Sequence, residues 1–506
     1  METTTKVSKG KRRGRHFSSL RFIKDTLFLS ISPLVQKGGA LILLPIITTY
    51  LGTSLYGVWQ QFNITGRLFL QFCTFTNPSL KKYLSQPSDK PTISGVLNSV
   101  SLFVFGLALL IGLVLLGFQD FFAELIFSDL RWRNLVKYLG IYIILEALLN
   151  SFTSFFQSQR FTKQIALINS LRKISILLAI AGMTILTRSI EAIVLAVIGI
   201  EGISLLAILG WVYGQKGYAF VLANRTELGQ QIRFGLPLLF SSLGNWVGTV
   251  IDRYFILHFL GIAAVGVYSG SYIFGSLIIF FISPLSQILL PDLSNLYALQ
   301  QFERIQLRIH TVVKYYLGLG VIVTILIFNF GETLLLGLSS RDFAEGVLPM
   351  KILSLSIFLY GLMQILTKCL SALMDRSYFG LLWLAVAGIN VIANLILIPR
   401  WALVGAASAS LLSYSVGVVF LFGLLNQKVA LRVALFADVW KIVVGGLAMA
   451  AIAFVLVQYL ATHFILSLLA CGFLFGGYIL TLYGLGFLSD SERNLIFKLK
   501  KKVVGT

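Results

Sequence analysis

The chain has 506 residues, 57% of them hydrophobic and 12% charged, and its 41 Lys and Arg against 20 Asp and Glu give a net charge of +21. A transmembrane helix takes about 20 apolar residues to cross a ~30 Å hydrocarbon core, so this apolar content matches about fourteen crossings, and no soluble domain of this size could hide it. A soluble enzyme, a nucleic-acid-binding domain and a disordered scaffold are thereby excluded. The expected fold is an all-α polytopic membrane protein.

Residues 1–24 form a basic tail, and no short apolar segment there ends in a cleavage site, so no removable signal peptide is expected. Apolar runs follow at about 27–50, 57–78, 93–117, 137–157, 164–186 and 190–212, a first six-helix bundle within 25–212. The stretch 213–233 is polar enough to be a linker. Runs at about 234–257, 265–290, 312–335, 347–370, 378–398 and 402–425 make a second six-helix bundle within 234–426. Two further runs, 440–460 and 463–487, fall in 427–487, and a second basic tail occupies 488–506.

An even number of crossings places both tails on one side. That side gathers 28 Lys and Arg, among them Lys81, Lys82, Arg160, Arg233, Arg304 and Arg376, whereas the opposite loops hold six, Arg131, Arg133, Lys137, Arg188, Arg341 and Arg400. Cytoplasmic loops collect Lys and Arg, so both termini are expected in the cytoplasm.

A repeat links the two bundles. Residues 50–59 read YLGTSLYGVW and residues 259–268 read FLGIAAVGVY, an offset of 209. The first glycine of each copy is expected to stop a helix and the second to open the next, because glycine tolerates tight-turn conformations. Six crossings separate the copies, so both halves enter the membrane in the same orientation. A pseudo-two-fold axis along the membrane normal relates such parallel repeats, with a cleft between the bundles and the last two helices as an appendage.

Several chemistries are missing. No G-x4-GK[ST], HExxH or CxxC occurs, the four histidines are scattered, and Cys73, Cys369 and Cys471 sit singly in apolar stretches. No metal, cofactor or catalytic set is expected. The informative residues are instead ionisable groups deep in the spans, where a charge costs at least ~2.5–3.5 kcal/mol and marks a functional cavity by default. They are the cations Lys37, Arg67, Arg172, Lys173 and Arg253 and the anions Glu146, Glu201 and Asp252. Lys351 and Lys368, near span ends, are discounted because lysines there snorkel to the interface.

Polar residues near these ions keep helical spacing. Gln60, Asn63, Arg67, Gln71 and Thr74 share one face, as do Tyr138, Tyr142, Glu146 and Asn150, continued by Thr153 and Gln157, and Ser241, Asn245, Thr249 and Arg253. Inter-helix hydrogen bonding in a dry bundle explains single polar residues; three stripes, each carrying an ion, point to a water-filled cavity lined by Gln60, Asn63, Gln71, Asn245 and Thr249. Pairing every deep anion still leaves two cations, which suits an anionic substrate gripped by guanidinium groups. Glu146, Glu201 and Asp252 are the candidates for binding a coupling proton or sodium ion; for Glu146 and Glu201 a salt bridge with Arg172 or Lys173 is the other reading.

The stretches QKGGALILLPIITTYLGTSLYGVW, FCTFTNPSLKKYLS, IRFGLPLLFSSLGNWVGTVIDRYFILHFLGIAAVGVYS and IPRWALVGAASAS resemble the polysaccharide-type flippases of the multidrug/oligosaccharidyl-lipid/polysaccharide exporter superfamily. The resemblance implies a non-enzymatic carrier in a bacterial plasma membrane. Such a carrier moves an undecaprenyl-pyrophosphate-type oligosaccharide outward by alternating access, driven by a proton or sodium gradient or by membrane potential. Polysaccharide polymerase and glycosyltransferases are the implied protein partners, and Lys37, Arg67 and Arg253 lie where the resemblance places lumenal cations. Two other readings share the fold: a peptidoglycan lipid II flippase, similar in charge as well, and a multidrug–cation antiporter, which favours an acidic lumen. An oligosaccharide polymerase needs a large outer loop, and the longest here, about 118–136, has some twenty residues.

Overall fold

The computed structural model describes residues 19–85, 89–222, 225–373, 377–428, 432–460 and 463–487. The C-terminal tail, most of the N-terminal tail and the side chains before Gly38, that of Lys37 included, lie outside the described residues. The described chain is helical throughout, with no strand, as expected where lipid forces every backbone group to be satisfied within its own segment.

The first half holds α1 (Ser19–Thr74), α2 (Asn77–Leu84), α3 (Lys90–Gly117), α4 (Gln119–Phe127), α5 (Arg133–Ser158), α6 (Thr162–Thr187) and α7 (Ile190–Leu209). The second holds α8 (Arg225–Val250), α9 (Asp252–Leu260), α10 (Ile262–Gly275), α11 (Ile279–Ala298), α12 (Phe302–Leu338), α13 (Val347–Leu373) and α14 (Ser377–Lys428). After them come α15 (Arg432–Leu460) and α16 (Phe464–Gly484). Much of the expected 213–233 linker is helical, since a π-turn covers Gly210–Gln215 and α8 begins at Arg225.

Ten helices among the described residues are long and apolar enough to cross a membrane, eleven if α8 and α9, bent by 42°, make one crossing. The difference from fourteen falls at identifiable places. Helix α1 breaks at Gly52 (φ 72°, ψ −175°) and α14 breaks at Ala402 (φ 48°, ψ −130°). The α14 stretch Gly380–Gln427 has 48 residues, about 72 Å at 1.5 Å per residue, more than twice the hydrocarbon core. The apolar helix Ile262–Ile278 falls short of crossing length by itself.

The two copies of the repeat meet. Gly52 and Gly261 adopt nearly the same left-handed-side conformation, φ 72° and 86° with ψ near 180°, which a side chain disfavours. Each break thus ends one helix and starts another in a single residue. The second glycine has a different role from the one expected. Gly57 and Gly266 lie inside helices, where α1 and α10 cross backbone to backbone. A β-carbon on Gly57 would overlap the carbonyl oxygen of Ile262, and one on Gly266 would overlap that of Thr53. These are equivalent positions of the repeat, so the contact is reciprocal. The same hypothetical atoms lie 3.2 Å from the Gly266 nitrogen and 3.1 Å from the Gly57 nitrogen.

Side chains hold the halves together elsewhere. Thr65 of α1 and Tyr254 of α9 share a 2.6 Å hydrogen bond. At the opposite end from the glycine crossing, where Lys81 and Lys82 lie, Ser79 donates to Gln231 and the Tyr83 hydroxyl donates to Gln230 at 2.7 Å. Helices α15 and α16 pack on α12 through a separate small core that includes Ile322, Phe330, Met449, Leu474 and Tyr478. Asp438 adds polar ties there, 3.3 Å from both Lys314 and Lys441.

Overpacking costs about 1–3 kcal/mol in a close-packed interior, and here the added atom would meet backbone, which cannot rotate away. Gly57→Ala and Gly266→Ala are therefore expected to push α1 and α10 apart without unfolding the protein. Spin labels on the exposed, repeat-related Tyr50→Cys and Phe259→Cys positions should report a longer inter-label distance in either variant. An unchanged distance distribution would show that the crossing does not set the separation of the halves.

Candidate functional site

Directly between the halves lies a cavity of roughly 740 Å³. Helix α1 contributes Gln60, Arg67 and Gln71; α8 contributes Asn245, Trp246 and Thr249; α9 contributes Arg253; α10 contributes Tyr272; and α13 contributes Tyr360, Gln364 and Lys368. Among the described residues three cations line it and no carboxylate does.

The three cations differ in how they are held. The Arg253 guanidinium lies 2.7 Å from Asp252 and donates at 2.8 Å to the Thr249 carbonyl, with the Tyr272 ring 4.2 Å away. Tyr268 donates to the second Asp252 oxygen at 2.7 Å. Arg253 is thus neutralised in place, and Asp252, buried behind it, is fully engaged. Arg67 is exposed to the cavity and has no ion-pair partner among the described residues. Lys368, half-buried, completes the set from the second half.

The other deep ions do not line this cavity. Arg172, expected as a cavity cation, is clamped between helices by Glu146 and Glu201, each 2.7 Å from the same guanidinium nitrogen. The spacing of α5, α6 and α7 places these groups on facing sides of three neighbours, so the charges pair inside the first half instead of lining the cleft. Lys173, next along α6, is likewise absent from the lining. Asn63, expected on the lining, turns its amide back to the Trp59 carbonyl at 2.7 Å. Gln60, Gln71, Asn245 and Thr249 lie where the stripes put them.

Lys368 was discounted as a snorkelling residue, yet it belongs to the wall. Its signal was present: Tyr360, Gln364 and Lys368 step by four, a fourth polar stripe on α13. The stripe is internally connected, for Gln364 donates to the Tyr360 hydroxyl at 2.7 Å, which reaches Asn245 at 3.2 Å.

A second chamber of roughly 340 Å³ adjoins the first toward the basic end, sharing Gln71 and Ser242 with it. Its walls combine the lower parts of the α1 and α5 stripes with Lys81 of α2. A third space, roughly 610 Å³, opens beside the Ala402 break near Glu332, Glu345 and Lys351, away from the interface of the halves. Among the described residues no group of His, Cys, Asp and Glu could hold a metal ion.

Residues 22–297 match the family described as polysaccharide biosynthesis protein. An uncharacterized membrane protein of Methanocaldococcus jannaschii is 22% identical over 285 residues, 56% of each chain, so this chain covers about half the length of the relative it matches. Among solved structures, the fold is similar to that of lipid II flippase MurJ in an inward closed conformation, with a TM-score of 0.72 at 16% identity over 90% of this chain and 97% of that one. It is also similar to an inward-facing multidrug resistance MATE family transporter of the MOP superfamily, with a TM-score of 0.61 at 14% identity over 80% and 95%. At these identities the likeness is one of fold.

The Arg172 clamp makes a prediction of its own. Removing one partner of a buried ion pair strands the other charge at a cost of about 3–5 kcal/mol, whereas replacing all members with neutral groups can be nearly neutral. Arg172→Met should sharply lower the yield and thermal midpoint of folded protein in detergent. Adding Glu146→Gln and Glu201→Gln to it should recover most of both. A single Arg172→Met variant as stable as the parent would show that this charge pairing does not hold the first half together.

Proposed function

The chain belongs to the polysaccharide biosynthesis protein family, and from that premise we propose that it is a flippase for a lipid-linked saccharide carried on a polyprenyl diphosphate. The observation that carries the reading is the cavity wall: Arg67, Arg253 and Lys368 face one space between the halves, and no carboxylate lines it among the described residues. A dianionic diphosphate would neutralise Arg67, which has no ion-pair partner among the described residues. A cationic drug would meet repulsion from the same wall, so the antiporter reading has nothing in the cavity to favour it.

The division of labour follows from how each group is held. Arg67 is free to accept a phosphate through two parallel N–H bonds, a geometry that lysine cannot reproduce. Arg253, anchored and neutralised by Asp252 and held by the Thr249 carbonyl, offers fixed N–H donors at the rim. Rocking of the halves, with the glycine crossing closed at one end and the Ser79–Gln231 and Tyr83–Gln230 bonds at the other, exposes the cavity to each leaflet in turn. Glu146 and Glu201, two carboxylates on one guanidinium, are the proposed site for a coupling proton or sodium ion. The end bearing Lys81 and Lys82 is proposed to be cytoplasmic in a bacterial plasma membrane, with polymerase and glycosyltransferases acting before and after the flip.

A hydrogen bond to a charged group contributes ~1.5–3 kcal/mol, so Arg67→Ala should slow flipping of a lipid-linked saccharide in proteoliposomes about ten- to a hundredfold at equal protein abundance. Arg67→Lys should fall between. An Arg67→Ala, Lys368→Ala double variant that flips at the parental rate would refute the anion reading. In the triple variant of Glu146, Arg172 and Glu201, transport should lose its dependence on pH and sodium; if that dependence persists, coupling lies elsewhere.

Orientation has a separate check. Single cysteines near Asp129 should react with an impermeant reagent from outside intact cells, and ones beside Lys82 should not; labelling at Lys82 would reverse the orientation.

A further inference from the structure

The smaller chamber is chemically distinct from the cation-lined cavity beside it. Its wall is mostly amides and hydroxyls, with the apolar Phe75, Pro78 and Leu238 and, among the described residues, one cation, Lys81. No carboxylate lines it among the described residues. Two of the polar stripes legible in the sequence end here: Gln71 and Thr74 from α1, and Asn150, Thr153 and Gln157 from α5.

The polar groups divide into two kinds. Some serve the framework: Thr74 donates to the Leu70 carbonyl at 2.7 Å, Ser154 to the Asn150 carbonyl at 2.9 Å, and Asn77 accepts from Ser151 at 3.1 Å. The side chains of four others, Gln71, Thr153, Ser242 and the exposed Gln157, have no hydrogen-bond partner in the protein among the described residues. They come from α1, α5 and α8, so both halves of the molecule present unmet donors and acceptors to one space. Polar groups inside proteins are normally paired with protein or water, and a dry bundle would have paired these across the helices.

We propose that this chamber is a saccharide subsite, reading the sugar next to the phosphate while Arg67 holds the phosphate itself. The inference rests on the reading of the central cavity as the diphosphate site. A sugar ring offers hydroxyls that both donate and accept, and a carboxamide offers a donor and an acceptor side by side in one plane. Gln71 and Gln157 supply two such planes, and Thr153 and Ser242 supply hydroxyls that turn to suit. The ring of Phe75 offers an apolar face for the sugar's C–H groups. Arg67 and Gln71 stand one turn apart on one face of α1, about 6 Å along the axis, which places the phosphate in one chamber and its sugar in the next. Its volume lies at the low end of the ~300–1,000 Å³ found for small-ligand sites. The ligand class is a neutral hexose or N-acetylhexosamine, or a singly anionic sugar paired with Lys81.

The test compares probes with and without sugar. Binding of farnesyl diphosphate, and of farnesyl diphosphate bearing glucose, galactose or N-acetylglucosamine, is measured on the full-length protein in nanodiscs by displacement of a fluorescent farnesyl diphosphate. At least one glycosylated probe should bind tenfold or more tightly than the bare one. Gln157→Ala and the near-isosteric Thr153→Val should each erase most of that advantage and leave the affinity for bare farnesyl diphosphate unchanged. A parental protein that binds bare farnesyl diphosphate through Arg67 but gains nothing from any of the three sugars overturns the subsite alone. Equal losses for bare and glycosylated probes in the chamber variants overturn it as well. A parental protein that does not bind bare farnesyl diphosphate, or binds it equally well as Arg67→Ala, overturns the diphosphate reading and the subsite with it.

Discussion

Everything between the halves depends on a contact from which side chains are excluded. Where α1 meets α10, Gly57 and Gly266 bring two helix backbones together, each glycine under a carbonyl of the other helix. In lipid, helices gain little from the hydrophobic effect when they associate, so close backbone approach through small residues is one of the few available sources of attraction. Arg67 follows Gly57 by ten residues on α1, so the cavity wall continues from this crossing toward the end that carries Lys81 and Lys82. The other end is closed differently, by hydrogen bonds from Ser79 and Tyr83 to a pair of glutamines, which water can replace bond for bond.

Charge placement follows the same economy of exposure. An ion inside the membrane needs a partner or a watery wall. Arg172 has two carboxylate partners, Arg253 has Asp252 together with a carbonyl and aromatic rings, and Arg67, among the described residues, has no ion-pair partner and faces the cavity. The first half keeps its ion cluster internal and the second half fixes its arginine in place, so the arginine without an anion stands out by what surrounds it. Its position on the face of α1 that continues through Gln71 connects the charged chamber to the amide-lined one.

Much of this was legible in the residues. Stripes at helical spacing placed Gln60, Arg67, Gln71, Asn245, Thr249 and Arg253 on one wall, because a period of 3.6 decides which side chains share a face. The repeat disclosed both breaks and the pairing of the halves. What spacing could not supply was rotation between helices. Arg172 and Arg67 have the same depth and composition on paper, and only the packing of α5, α6 and α7 sends one to a pair of carboxylates and the other to the cleft. Lys368 was set aside on its closeness to a span end, an argument about depth that ignored its partners Tyr360 and Gln364 on the same face. Asn63 kept the right spacing, but its short amide found its own backbone first. The role of Gly57 and Gly266 was hidden for another reason. A glycine that lets two backbones touch looks, in one dimension, like a glycine that turns a chain.

The reciprocity of that crossing carries a consequence for how such a molecule could be assembled. Residues 53 and 57 of one half meet 266 and 262 of the other, so each partner gives what it receives. This is the geometry of an isologous contact, the kind two identical subunits make across a two-fold axis. A half-length chain bearing the ten-residue block would have the means to close on a second copy of itself with a single glycine, and fusing two such chains would preserve the interface while releasing each half from identity with the other. In the present chain one half holds an arginine with no ion-pair partner among the described residues, the other an arginine locked to its neighbour, and this asymmetry resides in a frame whose joint is still symmetric.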